Sequence, residues 1–288
     1  LRPAALSRTI EDLAIWGSHV SPQVSRSLVK SWRVDALRVF VFDDRATAAS
    51  AAADHVATAI RHCMKRTGVA RAIFAAAPSQ NEFLADLVAQ HELDWSRLTA
   101  FHMDEYLGIP SEHPASFRNY LNQHLFVPAK LRPEQTRLIS GETTDEPLRT
   151  CLEYERALRL EPTDVVCAGI GENGHLAFND PPVADFLDPV WVKVVRLDTA
   201  CRAQQVNDGC FARLEDVPTH AYTLTIPALM AAPVLSVVVP GSLKAQAVRA
   251  TLCGPINEAC PASVLRRHPA ATLWLDRESA ALLDELEK

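Results

Sequence analysis

The sequence predicts an α/β fold, Rossmann-like and doubly wound: a mostly parallel sheet with helices on both faces. Three observations predict it. Apolar runs of six or seven residues recur along the chain, short enough for strands buried on both sides. Helix-like stretches stand between them, and alternation of this kind favours a parallel sheet covered by helices. The length, 288 residues, suits one large α/β unit, with no internal repeat and no low-complexity tract.

In chain order, residues 1–35 carry a weak helical pattern ahead of the first clear strand and read as an N-terminal extension. A single domain is expected over 36–288. "LRVFVF" (37–42) is the first strand, and the alanine-rich stretch 46–66 is a helix. "AIFAAA" (72–77) is a strand followed by a helix from about Ser79, and "LTAFHM" (98–103) is the strand after it. "DVVCAGI" (164–170), "AYTLTI" (221–226), "LSVVVP" (235–240) and "ATLWLD" (271–276) complete the strand set, with a helix over 242–252. In such a sheet ligands gather beyond the carboxyl ends of the strands, so the turns there are the places to search.

Composition narrows the partners. Forty-eight per cent of residues are hydrophobic and the net charge is −6, as in an ordinary water-soluble globule. No run of Lys and Arg points to nucleic acid or an anionic membrane. No apolar stretch reaches transmembrane length, and the first residues lack the continuous apolar core of a signal peptide. Seven cysteines, an odd number without a C-x-x-C, favour reduced thiols and a cytoplasmic setting. The ten histidines show no metal-ligand spacing, so no metal is expected.

Three segments carry candidate chemistry. "GIGENGHLAFNDPP" (169–182) spells G-x-G-x-x-G with Gly169, Gly171 and Gly174. A dinucleotide turn needs a helix after the third glycine to hold the pyrophosphate. Here Asn179-Asp180-Pro181-Pro182 stops any helix within a turn and a half. The glycines are therefore expected to let the backbone turn tightly and approach a ligand. What they present is His175, suited to proton transfer, with Asn173 before it and Asp180 after it as an orienting partner. The alternative is a turn histidine in ordinary turn chemistry. In "LTAFHMDEYLGIP" (98–110) an apolar strand ends in Asp104 and Glu105, and a carboxylate there is costly unless paired or used; the alternative is a turn cap. In "VVVPGSLKAQAV" (237–248) a Gly-Ser turn and Lys244 precede a helix, a fair site for an anion, against the alternative of a solvated lysine.

Together these segments resemble the glucosamine-6-phosphate deaminase family, the glucosamine/galactosamine-6-phosphate isomerases, over roughly 37–280. M-D-E-Y followed far downstream by G-x-G-x-x-G-H-x-A-F-N is specific as a pair. It also separates the chain from 6-phosphogluconolactonases, in which D-E-R and D-G-H-T-A-S-L-F-P runs are expected. The resemblance implies an aldose–ketose isomerisation coupled to loss of ammonia, without a cofactor, on a small sugar-phosphate partner. It implies that His175 opens the sugar ring with Asp180 as its carboxylate partner and Asn173 beside it, and that Asp104 moves a proton between C2 and C1. Gly169, Ser79 and Lys244 fall on the substrate side. "PASVLRRHP" (261–269) resembles the mobile lid over the site. Relatives are often oligomeric, so a homo-oligomer is open to the chain, although no sequence stripe defines an interface.

The chain also departs from the family pattern. Asn173 stands where many members carry Asp, and Asp180 is one methylene shorter than the usual Glu. The family's Gly-Thr-rich turn reads "AAAPSQNEF", where Ser79 and Glu82 form an S-x-x-E capping box. Such a box would occupy N–H groups otherwise open to phosphate. The family's phosphate-gripping arginine segment reads "ACRAQQVNDGCF", with Arg202 the basic candidate nearby. Trp191 replaces an arginine of allosteric members, so that regulation is not expected. The leading reaction is glucosamine 6-phosphate plus water to fructose 6-phosphate plus ammonia. The rivals are the same chemistry on a different amino sugar, motivated by the altered phosphate side, and a non-enzymatic sugar-phosphate sensor.

Overall fold

The computed structural model of the protein describes residues 27–142 and 144–283. The helical pattern expected over the first 26 residues lies outside the described residues. Strand β1 (Leu28–Val34) pairs antiparallel with β2 (Leu37–Phe42), Trp32 opposite Val39. The sheet thus starts inside the stretch read as an extension, and the expected boundary at 35/36 falls in the β1–β2 turn. The half-buried, polar-interrupted run LVKSWRV hid this edge strand, because an edge needs only partial apolar cover.

The main sheet has eight strands in the order β1-β2-β11-β10-β7-β3-β4-β6. Besides β1 and β2 these are β3 (Ala70–Phe74), β4 (Leu98–His102), β6 (Thr136–Arg137), β7 (Val165–Ala168), β10 (Val234–Val239) and β11 (Ala271–Asp276). All pairings but β1·β2 are parallel. Side chains alternate between two cores. On β2, Phe40 and Phe42 face one and Leu37, Val39 and Val41 the other; on β11, Trp274 faces the first and Leu273 and Leu275 the second. Helices α1 (Arg45–Thr67) and α2 (Asn81–Val88) cover the first core. Helices α4 (Pro147–Arg159) and α7 (Ala245–Cys253) cover the second. Burial on both faces explains why these strands read as continuous apolar runs. Five alanines between Ala48 and Ala53 let α1 lie close on the sheet, capped by Asp44 at its start and by Gly68 at φ +90° at its end.

The winding reverses in the middle of the sheet. From β3 the chain steps outward through β4 to β6, then returns to β7 beside β3 and runs the other way through β10 and β11. The turns after β3 and β7 therefore open at a topological switch point, where α/β sheets bind ligands.

A second, three-stranded antiparallel sheet, β5-β9-β8, was not expected. It joins β5 (Asp104–Tyr106), β8 (Val192–Arg196) and β9 (His220–Leu224). The run 221–226, read as one more strand of the main sheet, belongs here. The chain leaves β4 at His102 and enters β5 at Asp104, so the acid pair sits on the step between two sheets.

Candidate active site

The turns following β3, β7 and β10 meet α5 (Thr199–Asn207) around a cleft. Ser79, Asp104, Gly169, His175 and Lys244 all line it. Five expected site residues, distant in sequence, are thus brought to one place.

The histidine loop shows what its glycines do. A Cβ on Gly171 would lie 2.1–2.4 Å from three atoms of the His175 ring, so the imidazole occupies the space of the missing side chain. Gly174 has φ +85°, a left-handed turn closed by its N–H on the Gly171 carbonyl at 3.0 Å. The loop is tied down beyond the ring: Asn179 Nδ2 donates to the carbonyls of Leu176 and Leu224 at 2.8 and 2.7 Å. Nδ1 of His175 lies 2.8 Å from Asn173 Oδ1 and 3.0 Å from Asp180 Oδ1. Asn173 Nδ2 donates to that same Asp180 oxygen at 2.9 Å, which orients the amide and turns its Oδ1 toward the ring. Flanked by two acceptors, Nδ1 carries the proton and Nε2 keeps its lone pair. Asp180 is 1% exposed, and the short side chain reaches the imidazole. Burial alone would raise its pKa. The hydrogen bond of His175 and the positive charge of its protonated form, then the hydrogen bonds of Asn173 and the Cys201 thiol, outweigh burial and hold it below the ordinary carboxylate value.

The adjacent acids have opposite environments. Glu105 is fully buried and saturated: it accepts from the Tyr106, Phe117 and Arg118 N–H groups, from Ser116 Oγ at 2.7 Å and from Arg118 Nε at 2.9 Å. It anchors the start of α3 (Phe117–Leu121). Asp104 is also buried, yet among the described residues nothing hydrogen-bonds its carboxyl group, which faces the cleft. Burial, and then the charge of Glu105, push its pKa well above the usual value. A desolvated carboxylate without partners is a stronger base than one in water.

The far side of the cleft holds the anion-side candidates. Lys244, 8% exposed, has its pKa lowered by burial despite the raising influence of Asp208 and Glu172. The turn after β3 differs from expectation. A 3-10 turn, Pro78–Gln80, leads into α2, whose first turn has no side-chain cap. The expected Ser79–Glu82 capping box is absent: Glu82 pairs with Arg45 at 2.8 Å, away from Ser79. The Ser79 hydroxyl accepts from Gln80 Nε2 at 3.2 Å in the cleft wall. Arg202 is the second correction. Its Nη2 donates to the Leu214 and Val217 carbonyls at 2.6 and 2.9 Å, and the residue does not line the cleft. It pins a turn, because α5 points it away from the ligand side. The expected lid is the third. Residues 261–265 are buried in a 3-10 turn, and the Ala262 N–H donates to the Gly174 carbonyl at 2.8 Å. That segment braces the histidine loop from behind and lines none of the cleft.

Four cleft residues with amide or carboxylate side chains escaped the sequence reading: Gln80, Gln204, Gln205 and Asp208. Gln204 Oε1 accepts the Glu172 N–H at 2.9 Å, its Nε2 donates to Asp208 at 3.2 Å, and Gln205 Oε1 accepts from the Tyr106 hydroxyl at 2.5 Å. A signal was present. Cys201, Gln204, Gln205 and Asp208 follow i, i+3, i+4, i+7, one face of a helix. Cys201 also places its sulfur beside the catalytic candidates: one ligand atom from each of His175, Asp180 and Cys201 lies within 4.8 Å of the others.

Comparison with known proteins shows the family and the fold to which the chain is similar. The family model described as glucosamine-6-phosphate isomerases/6-phosphogluconolactonase matches residues 43–274. A glucosamine-6-phosphate deaminase of Listeria welshimeri is 37% identical over 217 residues, 75% of this chain and 89% of that one. One from Bacillus thuringiensis is 39% identical over 198 residues, covering 68% and 72%. Among solved structures, a monomeric glucosamine-6-phosphate deaminase superposes with a TM-score of 0.77 at 30% identity, covering 85% of this chain and 99% of the other. A 6-phosphogluconolactonase from Thermotoga maritima shares the fold at a TM-score of 0.68 and 18% identity, covering 83% and 99%.

Proposed function

The chain belongs to the glucosamine-6-phosphate isomerase/6-phosphogluconolactonase family, and from that premise we propose that it is an amino-sugar phosphate deaminase converting glucosamine 6-phosphate and water to fructose 6-phosphate and ammonia. The observation that carries the reading is the pairing of two groups across one cleft: a partnerless, buried Asp104 and a His175 whose Nδ1 is held by Asp180 and Asn173.

With Nδ1 protonated, Nε2 takes the proton of the sugar's anomeric hydroxyl and returns it to the ring oxygen, opening the ring. Asp180 stabilises the transient imidazolium, and Asn173 fixes the ring plane. Asp104 then removes the C2 proton, which the C1 carbonyl has acidified, and an enol-type intermediate forms. Returning that proton to C1 leaves an imine at C2; water adds there, ammonia departs, and the C2 ketone remains. The phosphate is assigned to Lys244 and the Ser79 hydroxyl, with the Gly169 backbone forming the floor between them. The seven unpaired thiols support a reducing, cytoplasmic setting, and among the described residues no helix is long and apolar enough to cross a membrane.

The test is a coupled assay of ammonia and fructose 6-phosphate with glucosamine 6-phosphate as substrate. Equal release of both products is expected, reduced by roughly 10²–10⁴-fold in Asp104→Asn. Folded protein that releases neither would sink the proposal.

A further inference from the structure

Behind the His175 ring, on the side away from the substrate, three side chains of different chemistry converge. His175 Nδ1 and Asp180 Oδ1 are 3.0 Å apart, and the Cys201 sulfur completes a triad whose ligand atoms all lie within 4.8 Å. All three residues are buried, Asp180 and Cys201 at 1% exposure. Asp180 Oδ2 is out of contact with water and has no oxygen or nitrogen donor on it among the described residues, while the Cys201 thiol stands close enough to hydrogen-bond the carboxylate. The deamination as derived leaves both that oxygen and the thiol unused. Imidazole, carboxylate and thiolate form the mixed donor set that zinc prefers.

We propose that this triad is a binding site for Zn²⁺ or a similar borderline-soft divalent ion, and that the bound ion switches the enzyme off. Tetrahedral zinc, with bonds of about 2.0–2.3 Å, sets neighbouring donor atoms roughly 3.3–3.8 Å apart. The nitrogen and the carboxylate oxygen need to part by a few tenths of an ångström, and the sulfur needs to approach by up to about one; side-chain torsions supply both movements. Asn173 Oδ1, 2.8 Å from Nδ1, is placed to be the fourth donor. Binding displaces the proton from the thiol and the one from Nδ1, so two protons are released per ion when His175 is neutral. The ion then occupies the nitrogen that Asp180 must orient, and the imidazole can no longer cycle through the imidazolium. The histidine loop supplies positions 175 and 180 and the first turn of α5 supplies 201, twenty-one residues further on, which is why no metal spacing shows in the sequence.

The inhibition rests on the deaminase reading, whereas the binding does not, so the experiment reads them separately. Co²⁺ is titrated into the chelator-treated full chain without substrate. The expected result is one ion per chain, with tetrahedral visible bands and a near-ultraviolet thiolate-to-cobalt band that Zn²⁺ abolishes. Cys201→Ser should lose the thiolate band, and Cys253→Ser, which removes an exposed thiol, should keep it. In the activity arm Zn²⁺ should inhibit the wild type. Cys201→Ser should turn over within about twofold of wild type and need at least about tenfold more Zn²⁺ for half-inhibition. If the serine variant does not fold, Cys201→Ala replaces it. No thiolate band, a band lost only in Cys253→Ser, or equal zinc sensitivity in the Cys201 variant would overturn the proposal. A silent enzyme with an intact band would instead reject the deaminase reading and leave the metal site standing.

Discussion

Asp104 and Glu105 show how two adjacent, identically charged residues acquire different work. Glu105 is compensated by Arg118 and by the N–H groups at the start of α3, while Asp104 has no hydrogen-bond partner among the described residues of the cleft wall. Its raised pKa has a sign that can be checked. Ionisation of Asp104 is harder in the folded chain than in the unfolded one, so its charge costs stability above its folded pKa and nothing below its unfolded one. Asp104→Asn should therefore melt at a higher temperature than wild type near neutral pH, with the advantage fading toward about pH 4, although it has lost most of its activity. Calorimetry across that range checks it, and a lower melting temperature at neutral pH would mean that the carboxylate has a partner after all. At the anion end, Asp208 partly offsets Lys244. Asp208→Asn should lower KM for the sugar phosphate by a few-fold with kcat nearly unchanged, since it acts on binding common to ground and transition states. An unchanged or higher KM would show that Asp208 holds the sugar rather than opposing its phosphate.

At the scale of elements, the histidine loop is the clearest case of sequence predicting chemistry. Its glycines without a following helix excluded a pyrophosphate turn, and Gly171 makes room for an imidazole instead. Gly171→Ala should keep the far-ultraviolet spectrum and displace the ring, cutting kcat by about 10² or more; undiminished kcat would mean that the ring position is not critical. Helix α5 is where the sequence reading failed. Arg202 attracted notice as a lone cation, but helix periodicity directs it to the Leu214–Val217 turn and directs Gln204, Gln205 and Asp208 to the cleft. Charge was read where phase should have been. The Ser79–Glu82 box failed for a related reason: a 3-10 turn shifts the helix start to Asn81, and the nearby Arg45 captures Glu82. The N-terminal edge was missed because β1 carries no continuous apolar run.

For the molecule as a whole, the winding reversal beside β7 is what gathers residues 79, 104, 169, 175 and 244 at the end of one sheet. A ligand that spans those turns should clamp them together. Fructose 6-phosphate at about one hundred times its Kd should add roughly 2.7 kcal/mol and raise the Tm by several degrees. Lys244→Ala should lose most of that shift at the same concentration, and thermal melts with and without ligand decide it; a full shift in the variant would move the phosphate elsewhere. The sequence by itself determined the layered α/β class and singled out the candidates for moving protons, because buried strands and reactive side chains leave local signatures of hydrophobicity and spacing; the kind of reaction came from the family resemblance of the M-D-E-Y and G-H-x-A-F-N segments. Only the tertiary structure decided which of two neighbouring acids stays unpartnered, that Arg202 and the 261–267 segment are scaffold, and that Cys201 stands against His175 and Asp180. Desolvation, pairing and proximity depend on residues far away in the chain, and no local pattern records them.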